Sequence, residues 1–435
     1  MRSFVRPIRP RGPAAVLPPR ARTRAALLSE VLGRRAVPDR GGDSTVTSVE
    51  HGDAGRSAEL PRYNAVRVFG ALDIGGAELR TIDLLPRLTA AGAVVHFVTL
   101  SGRAGVLAPV VERLGAEVHP LPLDIRFPLR FLRLLKRLRP HVVHSDVATF
   151  SGALLLLAAV AGVPVRIAHF RSDGDGHDDT VRRRAQRWIM RRLIDAFATD
   201  VVGVSPGSLT NGYQPSWESD PRFRVIPNGL DLERLARRTD FDLRAAIGAA
   251  PGDIVCLHVG RPSPEKRRWM IPQVVAALEV LGVAGRGVLV GARDDHDDTR
   301  VLREAEAQGV GDRLHLLGAR DDVGRLMRQA DVVVLPSDRE GLPGVVLEAL
   351  AVGADVVASD LPGVRFIAQH LPGVTIVGRD APPAEWAEAI RGAAIRRTGE
   401  RDQEAAMRAF QASVFSLESA AAAHISMYRR RRCAA

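Results

Sequence analysis

Val332-Val333-Val334-Leu335-Pro336-Ser337-Asp338-Arg339-Glu340-Gly341-Leu342-Pro343-Gly344-Val345-Val346-Leu347-Glu348-Ala349-Leu350 reads as a strand, a loop and a helix. The strand part is continuously apolar rather than alternating, so it is buried on both faces. That is the pattern of a parallel sheet covered by crossover helices. Pro343 suits the first helical turn, where a missing N–H costs nothing. The same unit recurs outward in both directions. Upstream in the same half lie Ile254–Gly260, Gly287–Gly291 and Leu314–Leu317, and downstream lies Val356–Ser359. A second series precedes it at Val66–Gly70, Val94–Leu100, Val142–Ser145, Val165–Phe170, Val201–Ser205 and Arg224–Pro227. Asn228-Gly229 and the charged stretch Asp231–Asp242 interrupt the pattern and read as a linker. The predicted fold class is therefore α/β, with two tandem Rossmann-like doubly wound domains facing a crevice. Ligands of such folds bind at the carboxyl ends of the strands. The expected boundaries are an extension at 1–61, a first domain at 62–230, a linker at 231–245, a second domain at 246–398, and closing helices with a basic tail at 399–435.

Charge narrows the function. The formal charge is +11, but the first 40 residues hold ten Arg against Glu30 and Asp39, and Arg429 to Arg432 add four positives at the other end. Residues 41–428 are left within one charge of neutral. A nucleic-acid-binding body would need its positive field in the folded part, so nucleic acid is excluded as a partner. Cys256 and Cys433 are the two cysteines, too few for a disulfide framework or a cysteine-based zinc site, and they fit a reducing, cytoplasmic compartment. Lysine is nearly absent, with Lys136 and Lys266 against 59 Arg.

Residues 1–61 are rich in Arg and Pro and weakly apolar, with no stretch of signal-peptide type, and are expected to be a disordered, dispensable extension or an arm for an anionic surface. Val147 to Val165 runs nineteen residues without a charge, the length of a spanning helix. Thr149, Ser151, Gly152, Gly162 and Pro164 divide it, so a buried helix of about a dozen residues followed by a strand is expected instead.

Three motifs carry chemistry. Gly75-Gly76-Ala77-Glu78 follows the first strand and opens a helix, where paired glycines let the backbone approach a phosphate and aim helix N–H groups at it. Gly260-Arg261-Pro262-Ser263-Pro264-Glu265-Lys266 ends the first strand of the second domain and puts two cations at the sheet edge, as a nucleotide diphosphate needs. In the opening stretch, Glu340 lies in the loop before the helix and Glu348 on its second turn. Two carboxylates eight positions apart across such a junction can grip different parts of one ligand. The helix N-terminus between them favours a departing phosphate.

This constellation resembles glycosyltransferase family 4, the retaining enzymes of GT-B fold. The resemblance implies that Glu340 contacts the donor sugar and Glu348 the nucleotide ribose. It implies that Gly260 to Lys266 holds the donor diphosphate through Arg261 and Lys266, and that Gly75 and Gly76 close over the phosphates. Gly341 and Leu342 are counted with the donor-binding residues. Ile226-Pro227-Asn228-Gly229 and Leu317-Gly318-Ala319-Arg320-Asp321-Asp322-Val323 also match, so the similarity covers about 70% of the chain, from Arg67 to Val377. Phe127 to Phe131 and Pro140 to Ser145 look like the branch that makes exopolysaccharides and cell-surface glycans. Arg267 departs from the family, which usually has Gly there, so a less tight loop is expected. Ala354 replaces a common Pro.

His169 ends a predicted strand at the crevice edge, where family members often carry a His that contacts the transferred sugar. A satisfied strand-end histidine is the alternative. Asp173-Gly174-Asp175-Gly176-His177-Asp178-Asp179 has the wrong residues at positions six and twelve for an EF-hand and reads as an acceptor-side loop. The expected function is retaining transfer of a hexose from a UDP- or GDP-sugar to a glycan, lipid-linked or small-molecule acceptor. No metal or other cofactor is expected, and the site is in the cytoplasm with an optional peripheral contact between Arg429–Arg432 and an anionic membrane. The alternatives are transfer to a small natural product, a nucleotide-sugar epimerase of the same fold, and a non-catalytic nucleotide-sugar or polyanion binder.

Overall fold

The computed structural model describes residues 62–174, 180–235, 239–396 and 403–430. The extension at 1–61, Asp175 to Asp179 of the aspartate-rich loop, Arg431, Arg432 and Cys433 lie outside the described residues. The chain divides into two compact units. The described part of one consists of 62–174, 180–204, 208–229 and 417–430, and that of the other lies within 205–207 and 230–416.

The first unit is built on a seven-stranded parallel sheet. Its strands are β1 (Tyr63–Phe69), β2 (Ala93–Thr99), β3 (Glu117–Pro120), β4 (Val142–Ser145), β5 (Val165–Phe170), β6 (Asp200–Gly203) and β7 (Phe223–Val225), in the spatial order β3-β2-β1-β4-β5-β6-β7. One apolar layer joins Ala65, Phe69, Val95, Phe97 and Ile167 of the strands to Ile82, Leu85 and Leu88 of the helix Gly76–Ala90. The opposite layer packs Val66, Val68, Val98 and Val143 against Phe127 and Phe131, and against Leu154 and Leu155. The uncharged run resolves into a short 3-10 turn at Ala148–Phe150, a helix at Ser151–Val160 and then β5, as its glycines and Pro164 dictate. Among the described residues no helix is long and apolar enough to cross a membrane. The last helix, Leu417–Arg429, belongs to this unit. Leu417, Ala420, Ala421, Met427 and Tyr428 enter the layer under the helix Gly76–Ala90.

The second unit repeats the plan with six parallel strands: β8 (Ile254–Val259), β9 (Gly285–Val290), β10 (Leu314–Gly318), β11 (Val332–Leu335), β12 (Val356–Ser359) and β13 (Val374–Val377), ordered β10-β9-β8-β11-β12-β13. Both sheets start in the middle, run to one edge and then return to fill the other side. This is the Rossmann order, and its reversal point falls between β1 and β4 in one unit and between β8 and β11 in the other. Trp386 of the helix Pro383–Arg396 is fully buried against Val332, Val334 and Val357.

β3 and β13 are not anticipated by the sequence pattern. Each lies at a sheet edge, and three of the four residues of β13 and all four of β3 keep some exposure, so neither needs a continuous apolar run.

Candidate active site

Each reversal point carries a group of polar side chains. In the second unit, β8 leads into the Arg261–Lys266 loop and neighbouring β11 leads into the Ser337–Leu342 loop. The sheet therefore sets side by side two motifs far apart in sequence. Lys266 Nζ lies 2.5 Å from Glu340 Oε1, with both side chains largely buried. The backbone adds a tie, because Asp338 N–H donates to Glu265 O at 2.8 Å. Pro343 caps the helix Gly344–Ala351 from an extended conformation, which leaves Glu340 in the preceding loop and Glu348 on the second turn. Gly341 and Leu342 occupy the turn into that helix, and Leu342 is buried. Gly363 packs so closely behind the turn that a Cβ there would lie 2.3 Å from Gly341 O. Arg261 is exposed.

Arg267 adopts φ 47° and ψ 43°, the left-handed region that explains the usual glycine. The loop is nevertheless closed tightly, contrary to expectation. The Arg267 guanidinium donates to Arg379 O at 2.6 Å, lies 3.3 Å from Asp338 Oδ1, and stacks over Trp269. These contacts offset the backbone cost. Beneath the loop, His258 of β8 is fully buried. Its Nδ1 meets Val334 O at 3.0 Å, its Nε2 has no hydrogen-bond partner among the described residues, and burial pushes its pKa down to about 3.

In the first unit, Gly75 precedes the helix Gly76–Ala90 in an extended conformation, and Leu79 N–H returns to Gly75 O at 3.0 Å. Among the described residues, a Cβ at Gly76 would meet nothing within 4 Å, so the backbone there fronts open space. Behind this turn is a buried polar network. Asp146 follows β4, and its side chain is completely buried. Arg67, in the middle of apolar β1, clamps it through Nη2 at 2.8 and 2.9 Å and Nε at 3.2 Å. Arg171 Nε donates to Asp146 Oδ1 at 2.7 Å, Nη1 to Asn228 Oδ1 at 2.8 Å and Nη2 to Thr81 Oγ1 at 3.1 Å.

His169 is attached to this network. Its Nδ1 lies 3.3 Å from Asp146 Oδ1 and 2.9 Å from His144 Nε2. His144 Nδ1 meets the Tyr428 hydroxyl at 2.9 Å, so the last helix closes the network. Asp146 can only accept, which puts the His169 proton on Nδ1 and a lone pair on Nε2, an atom with no partner among the described residues. Burial pushes the His169 pKa down to about 3, with Arg171 adding to the effect, so the ring is neutral. Asp146 sits well below the usual carboxylate range. Desolvation opposes this, but Arg67 and Arg171 outweigh it.

Lys266, Glu340, Gly341, Leu342 and Glu348 thus gather around one reversal point, and Gly75, Gly76 and His169 around the other. Sequence reasoning passes over Arg67, Asp146, Arg171, His144, Tyr428 and His258. An arginine inside the run Val66-Arg67-Val68 was the available signal, since a charge in a fully buried strand demands a partner.

Two Rossmann-like units with this furniture define a glycosyltransferase of GT-B type. The family model described as "Glycosyltransferase Family 4" matches residues 74–234, and the model "Glycosyl transferases group 1" matches 253–419, together about three quarters of the chain. The chain belongs to the family 4 glycosyltransferases. Among its relatives, the Staphylococcus aureus capsular polysaccharide biosynthesis glycosyltransferase CapH is 25% identical over 300 residues, 68% of this chain and 81% of CapH. The Bacillus subtilis protein EpsF, described as a glycosyltransferase, is 29% identical over 347 residues, 78% of this chain and 89% of EpsF. The crystal structure of Anabaena HepE in complex with UDP shares the fold, with a TM-score of 0.69 at 19% identity over 83% of this chain and 98% of HepE.

Proposed function

We propose that this glycosyltransferase transfers a hexose from a nucleotide-sugar donor to an acceptor hydroxyl with retention of anomeric configuration, in the synthesis of an exopolysaccharide or another glycan. One observation carries the proposal: the sheet brings Lys266 and Glu340, 74 positions apart, within 2.5 Å at the reversal point of the second unit. A cation and a carboxylate held there suit a ligand that is anionic at one end and rich in hydroxyls at the other. HepE has been crystallised with UDP-glucose, and CapH is named for capsular polysaccharide biosynthesis.

In the proposed reaction Arg261, Lys266 and the N-terminus of the helix Gly344–Ala351 hold the diphosphate, and Gly75 and Gly76 present backbone N–H groups to it. Glu340 accepts from the sugar hydroxyls and Glu348 from the ribose. Gly341 and Leu342 offer backbone N–H groups at the same turn. The neutral His169 accepts a sugar hydroxyl at Nε2. The bond between the anomeric carbon and the diphosphate oxygen breaks on the face where the acceptor oxygen arrives. The new glycosidic bond forms on that face, and the leaving diphosphate takes the acceptor proton. Stabilisation of that phosphate supplies the acceleration, so the transfer needs no metal. Such an enzyme works in the cytoplasm. An anionic membrane beside a lipid-linked acceptor would be met by the terminal arginines, although Arg429 donates to Ala91 O at 3.0 Å and Arg430 lies 3.5 Å from Asp200.

The test is a panel of UDP- and GDP-sugars, read by thermal shift and by nucleotide release with and without acceptor. A true donor at 100 times its dissociation constant stabilises the protein by about 2.7 kcal/mol. Glu340→Gln is expected to lower turnover on that donor by about 100-fold or more. Full turnover by Glu340→Gln would remove Glu340 from the reaction and overturn the assignment.

A further inference from the structure

A second cluster of potential ligands lies away from both reversal points, where edge strand β3 pairs with β2. The register sets Glu117 beside His96 and His119 beside Val98. Side chains two apart on a strand share a face, so Glu117 and His119 turn to the same side as His96. Three atoms converge there. His96 Nδ1 lies 3.2 Å from His119 Nε2 and 3.3 Å from Glu117 Oε2, and His119 Nε2 lies 3.4 Å from the same oxygen. The edge of a tetrahedron around zinc, with bonds of about 2.0–2.1 Å, is about 3.3–3.4 Å. The triangle of ligand atoms already has that size.

The protons point the same way. Asn64 donates its amide to Leu138 O at 2.6 Å, which turns Oδ1 toward His96 Nε2, 3.3 Å away. Oδ1 can only accept, so the His96 proton sits on Nε2 and Nδ1 carries a lone pair. That lone pair faces the Glu117 carboxylate, two acceptors at 3.3 Å with no hydrogen of their own between them. The Nε2–H of a neutral His119 can serve one of the two well. A cation at the centre satisfies all three. Protonating the imidazoles instead is opposed by burial, which holds both histidine pKa values below their ordinary position, with Arg137 adding to it and Glu117 working against it. Neutral rings are the form that binds metal.

We propose that His96, Glu117 and His119 form a site for a divalent transition ion of zinc type. Two imidazoles and a carboxylate leave the fourth position to water or solvent-borne ligand, since Glu117 is exposed. Asn64 is the outer partner that fixes the His96 tautomer, as carboxylates and carbonyls do for metal-bound histidines elsewhere. The ion would fasten the four-residue edge strand β3 to β2 through side chains, adding to a ladder that reaches β3 from one side alone. It takes no part in the proposed sugar transfer.

The experiment uses the full chain, stripped with chelator and titrated with zinc ion in competition with a chromophoric chelator. Glu117→Gln and His119→Asn are compared with the parent, all checked for native circular dichroism and for melting in excess EDTA. One zinc per chain is expected for the parent, with a rise in melting temperature, and each variant should bind at least tenfold more weakly and lose that rise. Absence of saturable one-to-one binding would overturn the site. So would equal affinity in both folded variants, which would send the ion elsewhere, for example to the buried group His144, His169 and His424.

Discussion

The two units share one strand order yet use their reversal points differently. In the first, a carboxylate with no exposure is clamped by two guanidiniums and joined to a chain of neutral imidazoles that ends on Tyr428. In the second, the Lys266–Glu340 pair, the Arg267–Asp338 pair and an exposed Arg261 stand at the ends of β8 and β11. Burying charge is costly, and here Asp146 offsets it by accepting from both guanidiniums, although Arg67 Nη1 is buried with no partner among the described residues. The first unit spends its charges on fixed geometry, beside an open backbone at Gly76 and a buried His169 Nε2 with no partner among the described residues. The second holds the Lys266–Glu340 pair partly buried, next to an exposed Arg261.

Removing the centre of the first network should have the largest effect. Asp146→Asn leaves Arg67 and Arg171 buried without their counter-charge, and a loss of about 3–5 kcal/mol is expected in urea unfolding. A loss below about 1 kcal/mol would mean that water reaches the site and that the two reversal points are more alike than their contacts indicate.

A smaller effect tests whether the imidazoles are neutral. His169 and His424 are pushed down to about 3 by burial, and His144 lies well below its ordinary value. The unfolded chain protonates these groups near pH 6.5 and the folded chain does not. Stability is therefore complete above about pH 6.5 and is lost progressively as pH falls toward 3. His424 Nδ1 bonds Ala420 O within its own helix and Nε2 has no partner among the described residues, so His424→Leu should fold. It should flatten the loss of stability between pH 6 and 4 by about one proton, or about 1.4 kcal/mol per pH unit. An unchanged slope would show that His424 is charged or exposed in the folded chain.

The smallest change belongs to the second unit. Arg267→Gly relieves a left-handed backbone, worth about 1 kcal/mol, and gives up the bond to Arg379 O and the stacking on Trp269. The expected shift in stability is within about 1 kcal/mol of zero. A much larger loss would show that the side chain, rather than the turn, holds the loop over β8.

Legibility followed exposure and distance in sequence. The central strands were readable because burial on both faces leaves continuous apolar runs such as Val332 to Leu335. The edge strands β3 and β13 were not, because a half-exposed strand tolerates Glu117, His119 and Thr375. The metal-like cluster was lost with β3. The Glu340 and Lys266 motifs were legible because each is a contiguous loop with its own residue pattern. The network around Asp146 was not, since Arg67, Asp146, Arg171 and Tyr428 are single residues on four separate segments.

The amino-acid sequence by itself determined the two parallel-sheet domains, the family, and the order of the strand–loop–helix motifs, because each depends on local periodicity or a short contiguous pattern. Tertiary structure alone decided that Lys266 meets Glu340, that Arg171 and Arg67 share one carboxylate, and that the last helix returns to the first unit. It alone set three ligand atoms within 3.4 Å of one another at an edge strand. Those pairings come from strand order and register, which follow from how whole layers of apolar side chains pack rather than from any one stretch of chain.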